Sequence, residues 1–155
     1  MYITLTIVAL VAAILLLFML FWLFATVEDW SRDLTTNYAT TSANAKKPSL
    51  HPIISQRPLP ELADLVATAA EQLPGWELTG REESPDDTTL QFVRTTRLMR
   101  FKDDITVHIR PVSGGQQPAK YEVSAESQSR VGKGDFGQNP RNLAELMDTL
   151  RNLLR

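Results

Sequence analysis

The N-terminal segment of this chain carries no charged side chain. All 16 Lys and Arg residues and all 18 Asp and Glu residues follow position 27, and Tyr2 is the only ionisable side chain before it. Residues 3–27 are almost entirely apolar, and about 20 apolar residues suffice to cross a ~30 Å hydrocarbon core. The run is longer than the core of ~7–15 residues in a cleaved signal peptide, and no basic residue precedes it. We therefore expect residues 1–30 to form an uncleaved transmembrane anchor of a single-pass membrane protein.

The composition excludes several classes of protein. The chain has no cysteine, which removes disulfides, thiolate zinc sites, iron–sulfur clusters and thiol nucleophiles. Its net charge is −2 and its arginines are scattered among acidic residues, so it lacks the basic stripe that nucleic-acid binding requires. The two histidines, His51 and His108, are isolated and form no recognisable metal site. We expect no cofactor, no metal and no nucleic-acid partner.

Residues 31–59 have the composition of an extended linker. This segment is rich in Pro, Thr, Ser and Asn and has no sustained helical or strand period. Apolar residues recur along it, including Tyr38 and Ile53, and they could lie along the domain or along a partner. The predicted organisation is an anchor over residues 1–30, a linker over 31–59 and a folded domain over 60–155.

The pattern of the domain predicts an α+β fold with the order α-β-β-β-β-α. One helix begins at Pro60 and a second at Asn139–Pro140, each with apolar residues three or four positions apart. Between them, four stretches alternate apolar and polar residues, and short turns at Pro85–Asp87 and Gly114–Gly115 make neighbouring strands antiparallel. We expect a four-stranded antiparallel sheet covered on one face by two helices. The predicted strands are residues 76–82, 89–97, 105–112 and 121–130.

The connection at residues 95–104 places three cations beside two carboxylates. Asp103 and Asp104 could act as an acid/base pair, but adjacent strand residues point to opposite faces, which separates their carboxylates. The alternative is a structural ion network that pins this corner of the sheet. The expected members of that network are Arg97, Arg100, Asp103, Asp104 and the later loop residue Asp135.

The glycine-rich loop at residues 130–140 is the densest feature of the chain. It leads into a helix N-terminus, where free N–H groups and the helix dipole favour anions. Its spacing is not that of a P-loop or of a dinucleotide fingerprint. In one interpretation, Arg130, Lys133 and Asn139 contact an anion or a partner. In the other, the glycines form the turn, Asp135 or Asn139 caps the helix, and Arg130 pairs with an acid across the sheet.

Three sequence blocks are distinctive. They are a Pro-Gly-Trp turn within Leu73–Trp76, a Phe-x-Asp-Asp corner within Arg97–Ile105 and a Ser-Arg-x-Gly-x-x-Asp-x-Gly-x-Asn loop within Ser127–Asn139. Together they resemble the domain-of-unknown-function 1499 family, a family of uncharacterised bacterial and plastid proteins, over about residues 48–153.

This resemblance implies a location but no reaction, because the family has no established activity. Its members often carry an export or membrane segment, so the resemblance implies a domain on the periplasmic or lumenal side rather than in the cytoplasm. Many members have a cysteine near the start of the domain. This chain has none, and Lys47–Ser49 stands there instead.

These features favour a non-catalytic accessory subunit, anchored by one transmembrane helix, that stabilises or caps a larger integral membrane complex of an energy-converting, respiratory or photosynthetic kind. Its expected partners are the membrane and other integral membrane subunits. The alternative is a membrane-anchored module that binds a small anion or a lipid head group at residues 130–140. The third hypothesis is a hydrolase that uses Asp103, Asp104 or Asp135 with His108, for which the sequence offers no recognisable nucleophile.

Overall fold

The computed structural model describes residues 2–26, 35–112 and 120–155, so the predicted Gly114–Gly115 turn lies outside the described residues. Six antiparallel strands form one sheet, and two helices pack on it. The helices are α1 (Tyr2–Thr26), α2 (Leu59–Glu71) and α3 (Gln138–Leu153), with a short 3₁₀ helix at Pro48–Leu50. The strands are β1 (Tyr38–Thr40), β2 (Ile53–Ser55), β3 (Trp76–Glu83), β4 (Thr88–Thr95), β5 (Lys102–Pro111) and β6 (Tyr121–Ser129).

The N-terminal helix α1 does not bear out the predicted anchor. Side chains are described for residues 6–21 of this helix, and all of them are exposed. Within the described parts of the chain, no helix has both the length and the apolar character that a membrane crossing needs. The prediction of a transmembrane helix over residues 1–30 is therefore wrong.

The edge of the sheet at β6 is built from the predicted linker. β1 pairs with one end of β6, where Tyr38 opposes Gln128, and β2 pairs with the other end, where Ile53 opposes Val123. The prediction of a four-stranded sheet is therefore wrong, because residues 31–59 supply two more strands. Each of these strands has only three residues, too few for an alternating pattern to be visible. By pairing with β6, they cover an edge that would otherwise be open.

The hydrophobic core lies between the sheet and the helices α2 and α3. Alternate residues of β4, β5 and β6 are buried and face the apolar stripes of the two helices. Burial of each large apolar side chain contributes about 1.5–3 kcal/mol, so this layer supplies the main driving force for folding. Its largest fully buried members are Leu62, Val66, Leu90, Phe92, Ile105, Val107, Ile109, Val123, Leu143, Leu146, Met147 and Leu150.

At one end of the covered face, the row of inward-facing residues changes from apolar to polar. The register aligns Arg94 of β4, Asp103 of β5 and Ser129 of β6. In the next inward-facing row, Ser127 lies opposite Ile105. These polar residues are an even number of positions from the core residues of their strands. Because side chains alternate along a strand, they face the helices rather than solvent. This end of the sheet is where the candidate functional site lies.

The turn that precedes β3 requires a glycine at position 75. The φ angle of Gly75 is +80°, and a Cβ atom there would lie 2.5 Å from the carbonyl oxygen of Thr95. We expect Gly75→Ala to lower the free energy of unfolding by about 1–3 kcal/mol, because both the backbone angle and the contact become unfavourable. Urea denaturation of the full chain measures this loss.

The matched control for this prediction is Gly80→Ala. A Cβ atom at Gly80 would meet the end of the flexible Gln91 side chain, which can move away. The expected change in the free energy of unfolding is therefore small, about 0.5 kcal/mol or less. Equal losses in the two variants would contradict the requirement for glycine at position 75.

Candidate functional site

Five polar side chains are buried together between the sheet and the start of α3. Asn139 and Asn142 reach the same place because residues three apart lie on one face of a helix. They meet inward-facing side chains of β5 and β6. We call these five residues the buried polar cluster. Its members and their exposed fractions are Asp103 (1%), Ser127 (0%), Ser129 (9%), Asn139 (0%) and Asn142 (0%).

Both carboxylate oxygens of Asp103 accept hydrogen bonds within this cluster. The hydroxyl of Ser129 donates to Oδ1 at 2.7 Å, and Nδ2 of Asn142 donates to Oδ2 at 2.9 Å. Arg94, which opposes Asp103 in the register, donates to Oδ1 of Asn142 and pairs with Glu145 at 3.2 Å. A buried carboxylate is strongly destabilising unless it is hydrogen-bonded and near opposite charge. The surrounding donors therefore make the burial of Asp103 possible.

Asn139 connects the cluster to the N-terminal part of the domain. Its Oδ1 accepts from the Ser127 hydroxyl at 2.6 Å, and its Nδ2 donates to the Ser129 hydroxyl at 3.0 Å and to the Asn37 carbonyl at 2.7 Å. Asn37 in turn donates from Nδ2 to the carbonyl oxygens of Ser129 and Gly132. The sequence suggested Asn139 as a contact for an anion or a partner. In the structure its side chain is buried, and both of its polar atoms are bonded within the protein.

The carboxylate of Asp135 lies at the N-terminus of α3. It accepts hydrogen bonds from the main-chain N–H groups of Gly137 at 2.9 Å and Asn139 at 2.8 Å. These are donors that an external anion at a helix N-terminus would use, and Asp135 already engages them. The remaining loop cation, Lys133, is exposed to solvent. The arrangement therefore caps the helix from within the chain.

Arg130 forms an ion pair with Asp104 on the outer face of the sheet. Its Nε and Nη2 atoms lie 2.6–3.0 Å from the carboxylate oxygens, and both side chains are about half exposed. The hydrogen bond to Asp104 and the charge of that residue raise the pKa of Arg130. Exposed ion pairs contribute little to stability, so this pair mainly orients the Arg130 side chain.

The five residues of the predicted ion network do not meet at one place. Its acids serve separate purposes: Asp103 lies in the buried polar cluster, Asp104 in the exposed ion pair, and Asp135 at the cap of α3. Arg97 and Arg100 are exposed in the turn between β4 and β5. Within the described residues, no carboxylate pairs with either of these two arginines.

The two histidines lie apart from the buried polar cluster. His108 is on the outer face of the sheet, with its Nδ1 atom 3.2 Å from the Thr89 hydroxyl oxygen. Strand alternation puts Asp103 on the other face, so the two cannot form an acid/base pair. The Nε2 atom of His51 lies 2.8 Å from the Ala45 carbonyl oxygen. No group of three His, Asp or Glu side chains in the described parts of the chain could hold a metal ion.

Two buried donors beside the cluster have no acceptor among the described residues. They are Nε1 of Trp76 and Nε of Arg94. The two residues oppose each other in the register of β3 and β4, and the Trp76 ring meets Phe92 edge-on with centroids 6.0 Å apart. This side of the cluster is therefore less completely hydrogen-bonded than the side that faces α3.

A separate cavity of about 320 Å³ lies at the opposite end of the sheet. Among its lining side chains, Glu83 is the only carboxylate and there is no histidine. The titratable side chains of this lining are Glu83 and Tyr121. The lining consists of Pro58, Leu59, Pro60, Glu83, Ser84, Pro85, Thr88 and Tyr121.

These features define the class: an α+β domain in which an antiparallel sheet and its covering helices enclose a buried polar cluster. The chain belongs to the family described as "Protein of unknown function (DUF1499)", whose model matches residues 29–150. The resemblance drawn from the three sequence blocks is thereby confirmed. No curated protein matches the chain, and no solved structure does. The comparisons therefore identify a family without assigning it an activity.

Several residues of the cluster were not predicted from the sequence. The sequence could have indicated Ser127 and Ser129, because they lie four and six positions after the buried residue Val123 and therefore on the same face of β6. Asn142 lies one helical turn after Asn139, within an otherwise apolar stripe. A polar residue at a core position of a strand or helix is the pattern that could have revealed them.

We expect Asp103→Asn to destabilise the domain by about 2–4 kcal/mol. The new amide group would place a donor against the donating groups of Ser129 or Asn142 and leave buried partners unsatisfied. Asp104→Asn is the matched control, since it removes a neighbouring carboxylate that is half exposed. Urea denaturation of both variants measures the difference. A loss in Asp104→Asn as large as that in Asp103→Asn would contradict the structural importance of the cluster.

The environment of His108 predicts a pH dependence of stability. Burial lowers the pKa of His108, and the charge of Arg110 lowers it further. Because the unfolded chain binds this proton more tightly, with a histidine pKa of ~6.5, the stability of the folded state decreases as the pH falls through that value. We expect His108→Gln to lose less stability than wild type between about pH 7.5 and pH 5.5. An unchanged decrease in the melting temperature over this range would contradict the prediction.

Proposed function

We propose that this protein is a non-catalytic accessory subunit that stabilises a larger membrane complex by packing against it. The observation that carries this proposal is the internal use of its reactive side chains. Asp103 and Asp135 are engaged by donors of the domain itself, and Asp104 is paired with Arg130. Each of these acids is thereby engaged within the domain, and in the described residues His108 forms no hydrogen bond with a carboxylate.

The exposed surface supports a contact at the membrane, with the complex or with the bilayer that holds it. We use the name "tip" for the turn at residues 96–101 and the loop at residues 130–137, which lie at the same end of the sheet. The main-chain N–H of Arg130 donates to the carbonyl of Lys102, which directly follows the turn, at 3.0 Å. Both segments of the tip carry exposed apolar side chains, which are a feature of contact surfaces. Those of the tip, with their exposed fractions, are Leu98 (88%), Met99 (64%), Phe101 (48%), Val131 (66%) and Phe136 (49%).

The membrane setting of the complex is the expectation that comes with the family resemblance, and a membrane-spanning helix is not needed for it. In the accessory role the domain contributes contact surface and stability rather than chemistry. The loss of such a subunit lowers the amount of assembled complex, whereas the loss of an enzyme would remove a reaction and leave the complex intact.

The test is affinity purification of the full-length protein from its own cells in mild detergent. We expect stoichiometric recovery of membrane-complex subunits with the wild-type chain and with His108→Ala, because His108 is outside the buried polar cluster. Asp103→Asn should reduce the amount of assembled complex, since it destabilises the domain.

Two results would overturn the accessory role. One is recovery of the wild-type chain without stoichiometric partners. The other is a His108→Ala variant that assembles normally but abolishes the cellular activity that deletion of the protein abolishes. The second result would indicate catalysis on the outer face of the sheet.

A further inference from the structure

The tip combines apolar side chains with cations that lack acidic partners. Two acids of the described residues lie near the tip and outside the buried polar cluster. The exposed Asp104 is paired with Arg130, and Asp135 caps the start of α3. The tip and the adjacent end of β5 therefore carry an excess of positive charge. The cations without a carboxylate partner among the described residues are Arg97, Arg100, Lys102 and Lys133.

The opposite end of the sheet is acidic. Its β3–β4 turn contains Asp86 and Asp87, and Glu82 and Glu83 lie just before it. The chain as a whole has a net charge of −2, so the positive charge of the tip is local and not a property of the composition. The domain thus has a cationic, apolar end and an acidic end.

The backbone holds the apolar side chains of the tip outward. In the turn, the Thr96 N–H donates to the Phe101 carbonyl at 2.8 Å, and the Phe101 N–H donates to the Thr96 hydroxyl at 2.9 Å. In the loop, Phe136 has a φ of +52° and precedes Gly137, whose N–H is bonded to Asp135. The exposed side chains are thus presented from turns that already have defined hydrogen bonds.

We propose that the tip binds an anionic lipid surface, with its apolar side chains in the headgroup boundary and its unpaired cations against lipid phosphates. Apolar residues interleaved with Lys and Arg are the pattern of interfacial membrane contacts, to which buried apolar area and attraction to anionic lipids both contribute. Protein interfaces are depleted of lysine, although they are enriched in arginine, and two of the four unpaired cations are the lysines Lys102 and Lys133. Charge complementarity therefore favours a lipid surface over a protein as the occupant of the tip.

The connection to the N-terminal segment is at this same end. Asn37, at the entry to β1, donates to carbonyl groups of Ser129 and Gly132 beside the loop of the tip. The described chain therefore enters β1 at the cationic end of the domain and not at its acidic end. The inferred contact rests on the proposed function only for its membrane setting.

The absence of cysteine from the chain permits a specific test with the full-length protein. Leu98→Cys would carry an environment-sensitive fluorophore at the most exposed apolar position of the tip. Asp86→Cys, in the turn at the acidic end, is the matched control. The labelled proteins are mixed with vesicles of phosphatidylcholine alone or with 30% phosphatidylglycerol. We expect a blue shift at position 98 with the anionic vesicles, weakened by added salt, and no shift at position 86.

Neutralising the tip should weaken the anionic-vesicle signal by a predictable factor. One Lys or Arg near an anionic membrane contributes about 1 kcal/mol, which corresponds to about fivefold in binding. The labelled Leu98→Cys chain with Arg97→Gln and Lys133→Gln should therefore bind about 25-fold more weakly. The control pair Arg110→Gln and Lys120→Gln removes the same charge away from the tip and should have a much smaller effect.

Three results would overturn the lipid contact. If the protein binds the vesicles but the fluorophore at position 98 still reports an aqueous environment, insertion of the tip is excluded. Equal shifts with neutral and anionic vesicles would exclude recognition by the cations. A shift that rises with protein concentration without vesicles would identify the tip as a surface between copies of the chain.

The two proposals fail separately. Stoichiometric co-purification without a vesicle signal at position 98 retains the accessory role and makes the tip a protein contact. A vesicle signal at position 98 without co-purified partners retains the lipid contact and removes the accessory role.

Discussion

The buried carboxylate of Asp103 holds the start of α3 against the sheet. A carboxylate with 1% exposure is tolerated only when its oxygens are hydrogen-bonded, and its donors come from Ser129 of β6 and Asn142 of α3. The start of α3 cannot separate from the sheet without leaving buried polar groups unsatisfied. Through Asn139, the same set of bonds holds Asn37, which is 102 residues away in sequence. Four segments of the chain are thereby fixed at one place.

Adjacent acids serve opposite faces of the sheet. Asp103 faces the helices and organises the buried polar cluster, whereas Asp104 faces solvent and orients Arg130. The loop between β6 and α3 is then held at both ends, because Arg130 is paired at its start and Asp135 is bonded to α3 near its end. The residue types that suggested acid/base chemistry are accounted for by structure. These structural roles do not explain the exposed apolar side chains of the loop that these residues hold in place.

Periodicity predicts elements that bury one face over several residues, and it fails where pairing alone creates structure. The stripes of α2 and α3 and the alternation in β4–β6 are visible in the sequence because each element repeats its pattern over eight residues or more. β1 and β2 have three residues each and exist because β6 offers an edge, so four strands were predicted instead of six. The alternation of side chains along β6 could have identified Ser127 and Ser129. No sequence pattern predicts the role of Asn37, because its partners are set by tertiary contacts. At the N-terminus, apolar composition predicted a span that the described residues do not contain.

Folding does not explain the exposed apolar side chains of the tip. Leu98 is 88% exposed and Val131 is 66% exposed, so truncating either would open no cavity in the core. The main chain beneath them is nevertheless defined, by hydrogen bonds between Thr96 and Phe101 and by the carboxylate of Asp135. A surface that is ordered on folding loses less conformational entropy when it meets a partner. These apolar side chains are therefore not needed for the fold, and the neighbouring cations without a carboxylate partner in the described residues support the proposed contact with an anionic lipid surface.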